Sequence, residues 1–133
     1  MKRVVLDASA VMAFFEDRPG AEIVEGLVER AIEGRVELLM SVVNWGEVYY
    51  STWRMRGEAV AKAVVSRIAE LPIEIVLPDL NSTRLAAELK AQHKIPYADA
   101  FAAALAGARK ASLATADADF ASLKSLLDLI WIR

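Results

Sequence analysis

Residues 1–17, MKRVVLDASAVMAFFED, hold an acidic residue inside a stretch that is otherwise almost entirely apolar. Apolar residues 4–6 precede Asp7, and residues 8–15 contain Ser9 as their only polar side chain. A carboxylate that leaves water loses several kcal/mol of hydration unless a partner compensates for it. We therefore interpret the stretch as a buried strand followed by the start of a helix, with Asp7 at the junction and facing a compensating partner.

The composition bounds the class of protein. The chain has 133 residues, no cysteine and a single histidine, His93. This length predicts a single domain over residues 1–133, and these counts exclude disulfides, thiolate metal sites and histidine-rich zinc sites. The net charge of −2 argues against a general polyanion binder but allows a local basic groove. The hydrophobic fraction of 56% indicates either a large core or apolar surface that another chain covers.

The start of the chain imitates a secretory signal, because Lys2 and Arg3 precede an apolar run. Asp7 interrupts that run, and the charged residues 16–18 follow without a small-residue cleavage pattern. No apolar run approaches the roughly 18 residues needed to cross a bilayer. We expect a cytoplasmic protein with no membrane partner.

Short apolar runs alternate along the chain with segments of helical spacing. The apolar and β-branched runs predict five strands, at residues 3–6, 37–41, 73–77, 112–115 and 129–132. The other segments predict helices at residues 21–33, 43–56, 58–70, 79–93 and 97–110. Nearly continuous apolar strands that alternate with helices indicate a parallel sheet covered on both faces. The predicted fold is α/β: a three-layer α/β/α sandwich with a central, mostly parallel sheet of about five short strands.

Four acidic residues fall where predicted strands end or where the next helices begin. Asp7 and Asp117 follow the first and fourth strands, Glu47 lies early in the helix after the second strand, and Asp99 begins the last helix. Because the carboxyl ends of parallel strands meet at one edge of the sheet, we expect these acids to converge on one cleft. Clustered carboxylates without histidine or cysteine are suited to Mg²⁺ or Mn²⁺. Such ions polarise a phosphate and activate water for in-line attack.

Each acid also has a purely structural interpretation. Asp79 and Asp99 are placed to complement a helix N-terminus, and Asp119 is placed to cap a short helix with the sequence DFASL. Glu47 fits equally a solvated helix surface. Asp7 is the hardest to explain in this way, because its flanks leave it little access to water.

Four segments of the chain carry a resemblance to a known family: VVLDASA at residues 4–10, WGEV at 45–48, YADAFAAALA at 97–106 and LATADADF at 113–120. In order and spacing they resemble the PIN-domain ribonucleases, and among these the VapC-type toxins of bacterial and archaeal toxin–antitoxin pairs. The resemblance spans the whole chain. It implies a PIN-like fold and a metal-dependent endoribonuclease that cleaves single-stranded or loop RNA. It also implies a homodimer and a cognate VapB-type antitoxin whose C-terminal segment blocks the acidic cleft.

By position, the resemblance implies a catalytic and metal-binding quartet for Mg²⁺ or Mn²⁺, formed by Asp7, Glu47, Asp99 and Asp117. Ser9 and Thr115 match polar positions that orient the acids or a metal-bound water. Asp119 matches a position that is often acidic but less uniformly a ligand, so it ranks second. Ala116 and Ala118 depart from the family, in which glycine or basic residues are frequent there, and this leaves the phosphate contacts open.

The helix at residues 43–56 carries aromatic residues spaced four apart: Trp45, Tyr49 and Trp53. Glu47 lies on nearly the opposite side of this helix, together with Tyr50 and Arg54. If Glu47 faces the cleft, Tyr50 and Arg54 face it too and are candidates to bind RNA by stacking and charge. The aromatic stripe is expected in the core, with contact to another chain as the alternative.

Two other classes of protein are the alternatives to the ribonuclease. A haloacid-dehalogenase-like phosphatase also places an aspartate after its first strand, but its chemistry wants a second acid where Ser9 stands. The other class is a non-catalytic, PIN-like or receiver-like binding domain. A phosphoacceptor receiver needs an aspartate after a middle strand with a lysine nearby, and Asp79 lacks that setting.

Overall fold

The computed structural model describes residues 1–133, in which strands and helices alternate along the chain. The strands are Lys2–Leu6 (β1), Val36–Ser41 (β2), Ile73–Val76 (β3), Ser112–Thr115 (β4) and Leu129–Trp131 (β5). The helices are Ala8–Phe15 (α1), Ala21–Ile32 (α2), Val42–Arg56 (α3), Glu58–Glu70 (α4), Leu80–Gln92 (α5) and Tyr97–Arg109 (α6), and a 3₁₀ helix covers Ala118–Leu123. None of these helices combines the length and the apolar character that a membrane crossing requires.

The five strands form one sheet in the order β3-β2-β1-β4-β5, and every neighbouring pair is parallel. The central strand is β1, where Val4 pairs with Leu38 of β2 on one side and with Ser112 of β4 on the other. Because all strands run the same way, their carboxyl ends meet at one edge. The structure confirms the predicted α/β class and the five-stranded parallel sheet.

Side chains of β1 alternate between two hydrophobic clusters, one on each face of the sheet. Val4 and Leu6 pack into a cluster that includes buried residues of α1, α2, α3 and α4. Val5 packs into a second cluster, dominated by the alanine-rich α6. Most of the buried side chains of α6 are alanines, and such small side chains allow a helix to pack close against a sheet. The two clusters make the central layer apolar on both faces, as in the predicted sandwich.

Of the helix caps suggested at Asp79 and Asp119, the structure confirms the first and not the second. Asp79 caps α5 by accepting a hydrogen bond from the Ser82 backbone N–H. The suggested cap at Asp119 is wrong. Asp117 is extended and accepts from the Asp119 N–H at 2.9 Å, so the 3₁₀ helix begins at Ala118 and Asp119 lies inside its first turn.

Candidate active site

The four predicted acids lie at the carboxyl edge of the sheet. Asp7 follows β1 as the N-cap of α1, and Asp117 follows β4 as the N-cap of the 3₁₀ helix. Glu47 lies on α3, which continues directly from β2, and Asp99 lies in the first turn of α6. Burial raises the pKa of Asp7, of Glu47 and of Asp99, and the charge of Asp117 raises each further. The acids are therefore close enough to interact through their charges.

Asp7 is 2% exposed and is surrounded by donors of its own chain. Its Oδ1 accepts from the Ala10 backbone N–H at 2.9 Å and from the Ser9 hydroxyl at 2.7 Å, and its Oδ2 accepts from the Thr115 hydroxyl at 2.5 Å. Burial raises the pKa of Asp7 to about 6, while the hydrogen bonds from Thr115, Ser9 and Ala10 oppose the rise. The partners that compensate for the buried charge are a helix N-terminus and two hydroxyl groups.

The directions of the two hydroxyl groups are fixed by what they accept. Ser9 Oγ accepts from the Ala116 backbone N–H at 2.9 Å, and Thr115 Oγ1 accepts from the Asp117 backbone N–H at 2.9 Å. Each hydroxyl proton is then free to point at Asp7. This chain of hydrogen bonds joins the start of α1 to the end of β4. Such contacts suit residues that orient an acid, and a role toward water stays a prediction.

Asp99 is also buried, at 6% exposed, but its surroundings differ. Its Oδ2 lies below the surface and has no hydrogen-bond donor. Burial raises the pKa of Asp99, a hydrogen bond shared with the Asp117 carboxyl raises it further, and the charges of Asp117, Asp7 and Glu47 add to the rise. Two neighbouring carboxylates repel each other when both are ionised, so the position beside Asp117 favours the neutral form of Asp99.

A third acid joins this pair. Carboxylate oxygens of Asp99, Asp117 and Asp119 all lie within 4.8 Å of one another, with Asp99 buried and Asp119 exposed. Asp7 and Glu47 are not members of this trio: the Asp7 carboxylate accepts from two hydroxyls and the Glu47 carboxylate from an amide. The structure thus gathers the second-ranked Asp119 with two of the predicted quartet.

The chemistry of the donor set fits Mg²⁺ or Mn²⁺. All of the clustered side chains offer carboxylate oxygens, which are the hard ligands that these ions prefer. The donor-free Oδ2 of Asp99 is the specific observation that calls for a positive partner. A cation bound between Asp99 and Asp117 would offset the repulsion between their carboxylates. Which of the acids bind an ion stays a prediction.

Asn44 is a site residue that the sequence analysis did not select. It is fully buried in the first turn of α3, and its Nδ2 donates to Glu47 Oε1 at 3.0 Å and to the Ala98 carbonyl at 3.1 Å. Burial raises the pKa of Glu47, the hydrogen bond from Asn44 opposes the rise, and the charge of Asp117 adds to it. The available signal was the spacing of an amide three residues before the acid, which places both on one face of a helix.

The outer surface of α3 carries the two predicted RNA-binding residues. Tyr50 and Arg54 are exposed, and the Arg54 guanidinium lies 5.5 Å from the centre of the Tyr50 ring. They lie about one and two turns after Glu47 on α3, which is the spacing of residues on one side of a helix. Their contact with RNA stays a prediction.

Only one end of the aromatic stripe of α3 packs against the core. Its rings follow one another at 5.6 and 5.8 Å, from Trp45, which packs against the core, to Trp53, which is 42% exposed. The core placement expected for the whole stripe is wrong at Trp53. The reason is that α3 buries a different face, one residue before the stripe, made of Asn44, Val48 and Thr52.

Comparisons with known proteins agree with this architecture. The chain matches the sequence model of the PIN domain family over residues 4–126. No curated protein sequence matches the chain. Among solved structures, it is similar to VapBC2 from Rickettsia felis bound to a promoter DNA fragment, with 17% identity, coverage of 96% of this chain and 97% of that one, and a TM-score of 0.77.

Two other solved structures are similar over most of their length. DNA-bound VapBC from Salmonella typhimurium has 15% identity, coverage of 100% of both chains and a TM-score of 0.74. VapC20 of Mycobacterium tuberculosis, described as a toxin that cleaves the sarcin–ricin loop, has 16% identity, coverage of 90% of this chain and 94% of that one, and a TM-score of 0.66. At these identities the likeness shows a shared fold.

Proposed function

The chain belongs to the PIN domain family, whose sequence model it matches over residues 4–126, and on this premise we propose that it is a metal-dependent endoribonuclease that acts as the toxin of a toxin–antitoxin pair. Residues 1–133 then form a single PIN-like domain. The observation that carries the proposal is the buried, donor-free Oδ2 of Asp99, grouped with Asp117 and Asp119 at the carboxyl edge of the sheet. A similar structure, VapC20, is described as an RNA-loop-cleaving toxin.

The proposed ligands of Mg²⁺ or Mn²⁺ are the acidic quartet, Asp7, Glu47, Asp99 and Asp117, with Asp119 as a further candidate. When bound, the ion supplies positive charge that polarises a phosphodiester and activates water for attack. Neutral residues of the chain orient the carboxylates. Ser9 and Thr115 hold the Asp7 carboxylate in one orientation, and Asn44 holds that of Glu47.

The proposed RNA contacts lie beside the acids on α3. Tyr50 presents an exposed ring on which an unpaired base can stack, and Arg54 presents a guanidinium that can pair with phosphate. Their helix also carries Glu47, so RNA bound along this surface would lead toward the cleft. The net charge of −2 argues against general binding of polyanions, so we expect RNA to bind through a local surface such as this one.

The proposed protein partners follow from the same family. Several similar structures are toxin–antitoxin complexes, including VapBC-1 from nontypeable Haemophilus influenzae and VapBC-5 from Mycobacterium tuberculosis. We propose a cognate VapB-type antitoxin for this chain, a homodimer of the toxin, and a cytoplasmic location. The exposed end of the aromatic stripe at Trp53 is apolar surface that a partner chain would cover.

The direct test is RNA cleavage by the purified chain, freed of any co-purified partner, with Mg²⁺ or Mn²⁺ and with EDTA. We expect cleavage with either ion, none with EDTA, and none for Asp99→Asn. Asp79→Asn is the matched control, because Asp79 is an exposed helix cap outside the cleft and asparagine caps helices equally well. Cleavage that Asp99→Asn leaves unchanged would contradict the proposal. Hydrolysis of a phosphate monoester with RNA untouched would instead favour the phosphatase alternative.

A further inference from the structure

Asn44 links the two helices that carry Glu47 and Asp99. Its Nδ2 donates one hydrogen bond to the Glu47 carboxylate and another to the carbonyl oxygen of Ala98. Ala98 directly precedes Asp99 in the first turn of α6. A single amide group therefore fixes a carboxylate of α3 relative to the backbone that carries Asp99.

The orientation of this amide follows from its partners. The carboxylate of Glu47 and the carbonyl of Ala98 only accept, so the NH₂ end of Asn44 must face them. In that orientation Asn44 Oδ1 is buried and has no donor. A buried oxygen without a donor destabilises the fold, and an apolar side chain of similar volume would avoid this cost. The amide is therefore poorly explained by packing alone.

Asparagine is the short side chain that meets both acceptors. Aspartate would place an acceptor against two acceptors, and serine carries only one proton to donate. Glu47 has three side-chain torsions and is only partly buried, so without a fixed donor it would exchange between rotamers. The hydrogen bond from Asn44 occupies Glu47 Oε1 and restricts where the other carboxylate oxygen can lie.

We propose that Asn44 is a positioning residue of the acidic cleft, which anchors the Glu47 carboxylate to the start of α6 in the arrangement that binds a divalent cation. This inference rests on the proposed metal site and goes beyond it by assigning a role to a neutral residue outside the acidic quartet. Groups that orient metal ligands typically change metal affinity by about 10–100-fold when they are removed.

The test compares Mn²⁺ dissociation constants of purified full-length variants by titration calorimetry. Asn44→Leu is expected to weaken Mn²⁺ binding about tenfold. The matched control is Thr52→Val, at a buried polar position more than one turn beyond Glu47 on the same helix, and we expect it to bind within about twofold of wild type. Asn44→Ser keeps one donor proton and is expected to lie between the two. It also serves as the test variant if Asn44→Leu does not fold.

A double substitution separates positioning from a general effect on the fold. In a Glu47→Gln background, Asn44→Leu is expected to cost less than about twofold in further Mn²⁺ affinity, because its effect passes through the Glu47 carboxylate. Equal losses in both backgrounds would overturn the role, and so would unchanged affinity of Asn44→Leu in the wild-type background. A wild-type protein that binds no Mn²⁺ would instead overturn the proposed metal site, and the role of Asn44 with it.

Discussion

Two buried aspartates at helix starts have opposite surroundings. Asp7, at the start of α1, accepts from a backbone N–H and two hydroxyls. Asp99, in the first turn of α6, has an oxygen that is equally hidden from water and accepts from nothing. The helix that begins at Asp7 is capped by that side chain, whereas the N-cap of α6 is Pro96, which offers no side-chain hydrogen bond.

The difference indicates what each carboxylate still requires. At Asp7 the chain itself supplies partners that offset much of the lost hydration, although the pKa of about 6 shows that burial outweighs them. At Asp99 the nearest ionisable partner is another acid, so the charge is compensated only by a proton or by a cation. Asp7 is thus built into the scaffold of the cleft, and Asp99 is the residue whose chemistry depends on a ligand.

The largest expected effect is on catalysis at the uncompensated acid. Asp99→Asn removes the charge that a cation would meet, and we expect RNA cleavage to fall by about 10³-fold or more, which corresponds to roughly 4 kcal/mol in the barrier. Single-turnover cleavage of a fixed RNA in Mn²⁺ measures it. Asp7→Asn should cause a loss of similar size if both acids bind the ion. A much smaller loss for Asp7→Asn would show that Asp7 is mainly structural.

The second effect concerns the donors that distinguish Asp7. Thr115→Val removes the hydroxyl that donates to Asp7 Oδ2 and accepts from the Asp117 N–H. We expect the free energy of unfolding to fall by about 1–3 kcal/mol, the cost of leaving buried polar groups without partners. Urea unfolding measures it, with Thr52→Val as a control for the loss of a buried threonine hydroxyl elsewhere. Equal losses for the two variants would remove the basis for calling Asp7 compensated.

The third effect is on the stability of the metal-free chain. Burial and the neighbouring Asp117 raise the pKa of Asp99 to about 8, so this acid is mostly ionised at pH 9. Asp99→Asn then abolishes a buried charge that has no donor, and we expect it to raise the melting temperature in EDTA at pH 9 by about 4 °C, the shift that ~1 kcal/mol produces in a domain of this size. Asp7→Asn also removes repulsion but loses stronger hydrogen bonds to a carboxylate, so its gain should be smaller. A larger gain for Asp7→Asn would reverse the order of the two sites.

The free energy of unfolding of the metal-free protein should also change with pH, by about as much as in the previous prediction and in a direction that the pKa of Asp7 defines. The folded pKa of Asp7, about 6, exceeds its ordinary value of 3.8, so the folded chain binds a proton more tightly than the unfolded chain. The resulting stabilisation is complete below pH 4 and is lost as the pH rises through 6. Between pH 7 and pH 5 the metal-free protein should gain about 1 kcal/mol from Asp7.

Two comparisons check this titration by urea unfolding in EDTA. The raised pKa of Asp99 acts in the same direction, because burial and the neighbouring Asp117 favour its neutral form. Saturating Mg²⁺ should cancel or reverse the gain, because the ion binds the ionised acids. A metal-free protein that loses stability from pH 7 to pH 5 would contradict the assignment, and so would an Asp7→Asn variant with an unaltered slope.

The sequence was sufficient for the fold because its signals are local and repeated. Apolar strands that alternate with helices require a parallel sheet, and the carboxyl edge of such a sheet gathers residues far apart in the chain. The meeting of Asp7 and Thr115, separated by more than a hundred residues, follows from the pairing of β1 with β4. The pattern of strands predicted a parallel sheet but not the strand order, and it is this order that places β1 beside β4.

The sequence did not show how α3 is rotated about its own axis, and a rotation by one residue changes which of its faces is buried. The buried face of α3 is made of Asn44, Val48 and Thr52, and Trp53, one residue after Thr52, is turned outward. Both faces have helical spacing, so periodicity alone did not choose between them. Likewise the sequence presented Asp7 as the least compensated acid, whereas the structure gives that position to Asp99, because hydrogen bonds from Thr115 cannot be read from its neighbours in the chain.

The smallest expected effect is at Asp119, the exposed member of the acidic trio. Water already compensates its charge, so Asp119→Asn should reduce cleavage by less than about tenfold, an effect nearer to that of an orienting group than of a primary ligand. The assay is the same Mn²⁺-dependent cleavage used for Asp99→Asn, with Asp128→Asn as a control at an acid that only accepts from Ser112 on β4. A loss as large as that of Asp99→Asn would make Asp119 a primary ligand. The contrast would then lie between Asp7, which the scaffold compensates, and a metal-binding trio of Asp99, Asp117 and Asp119.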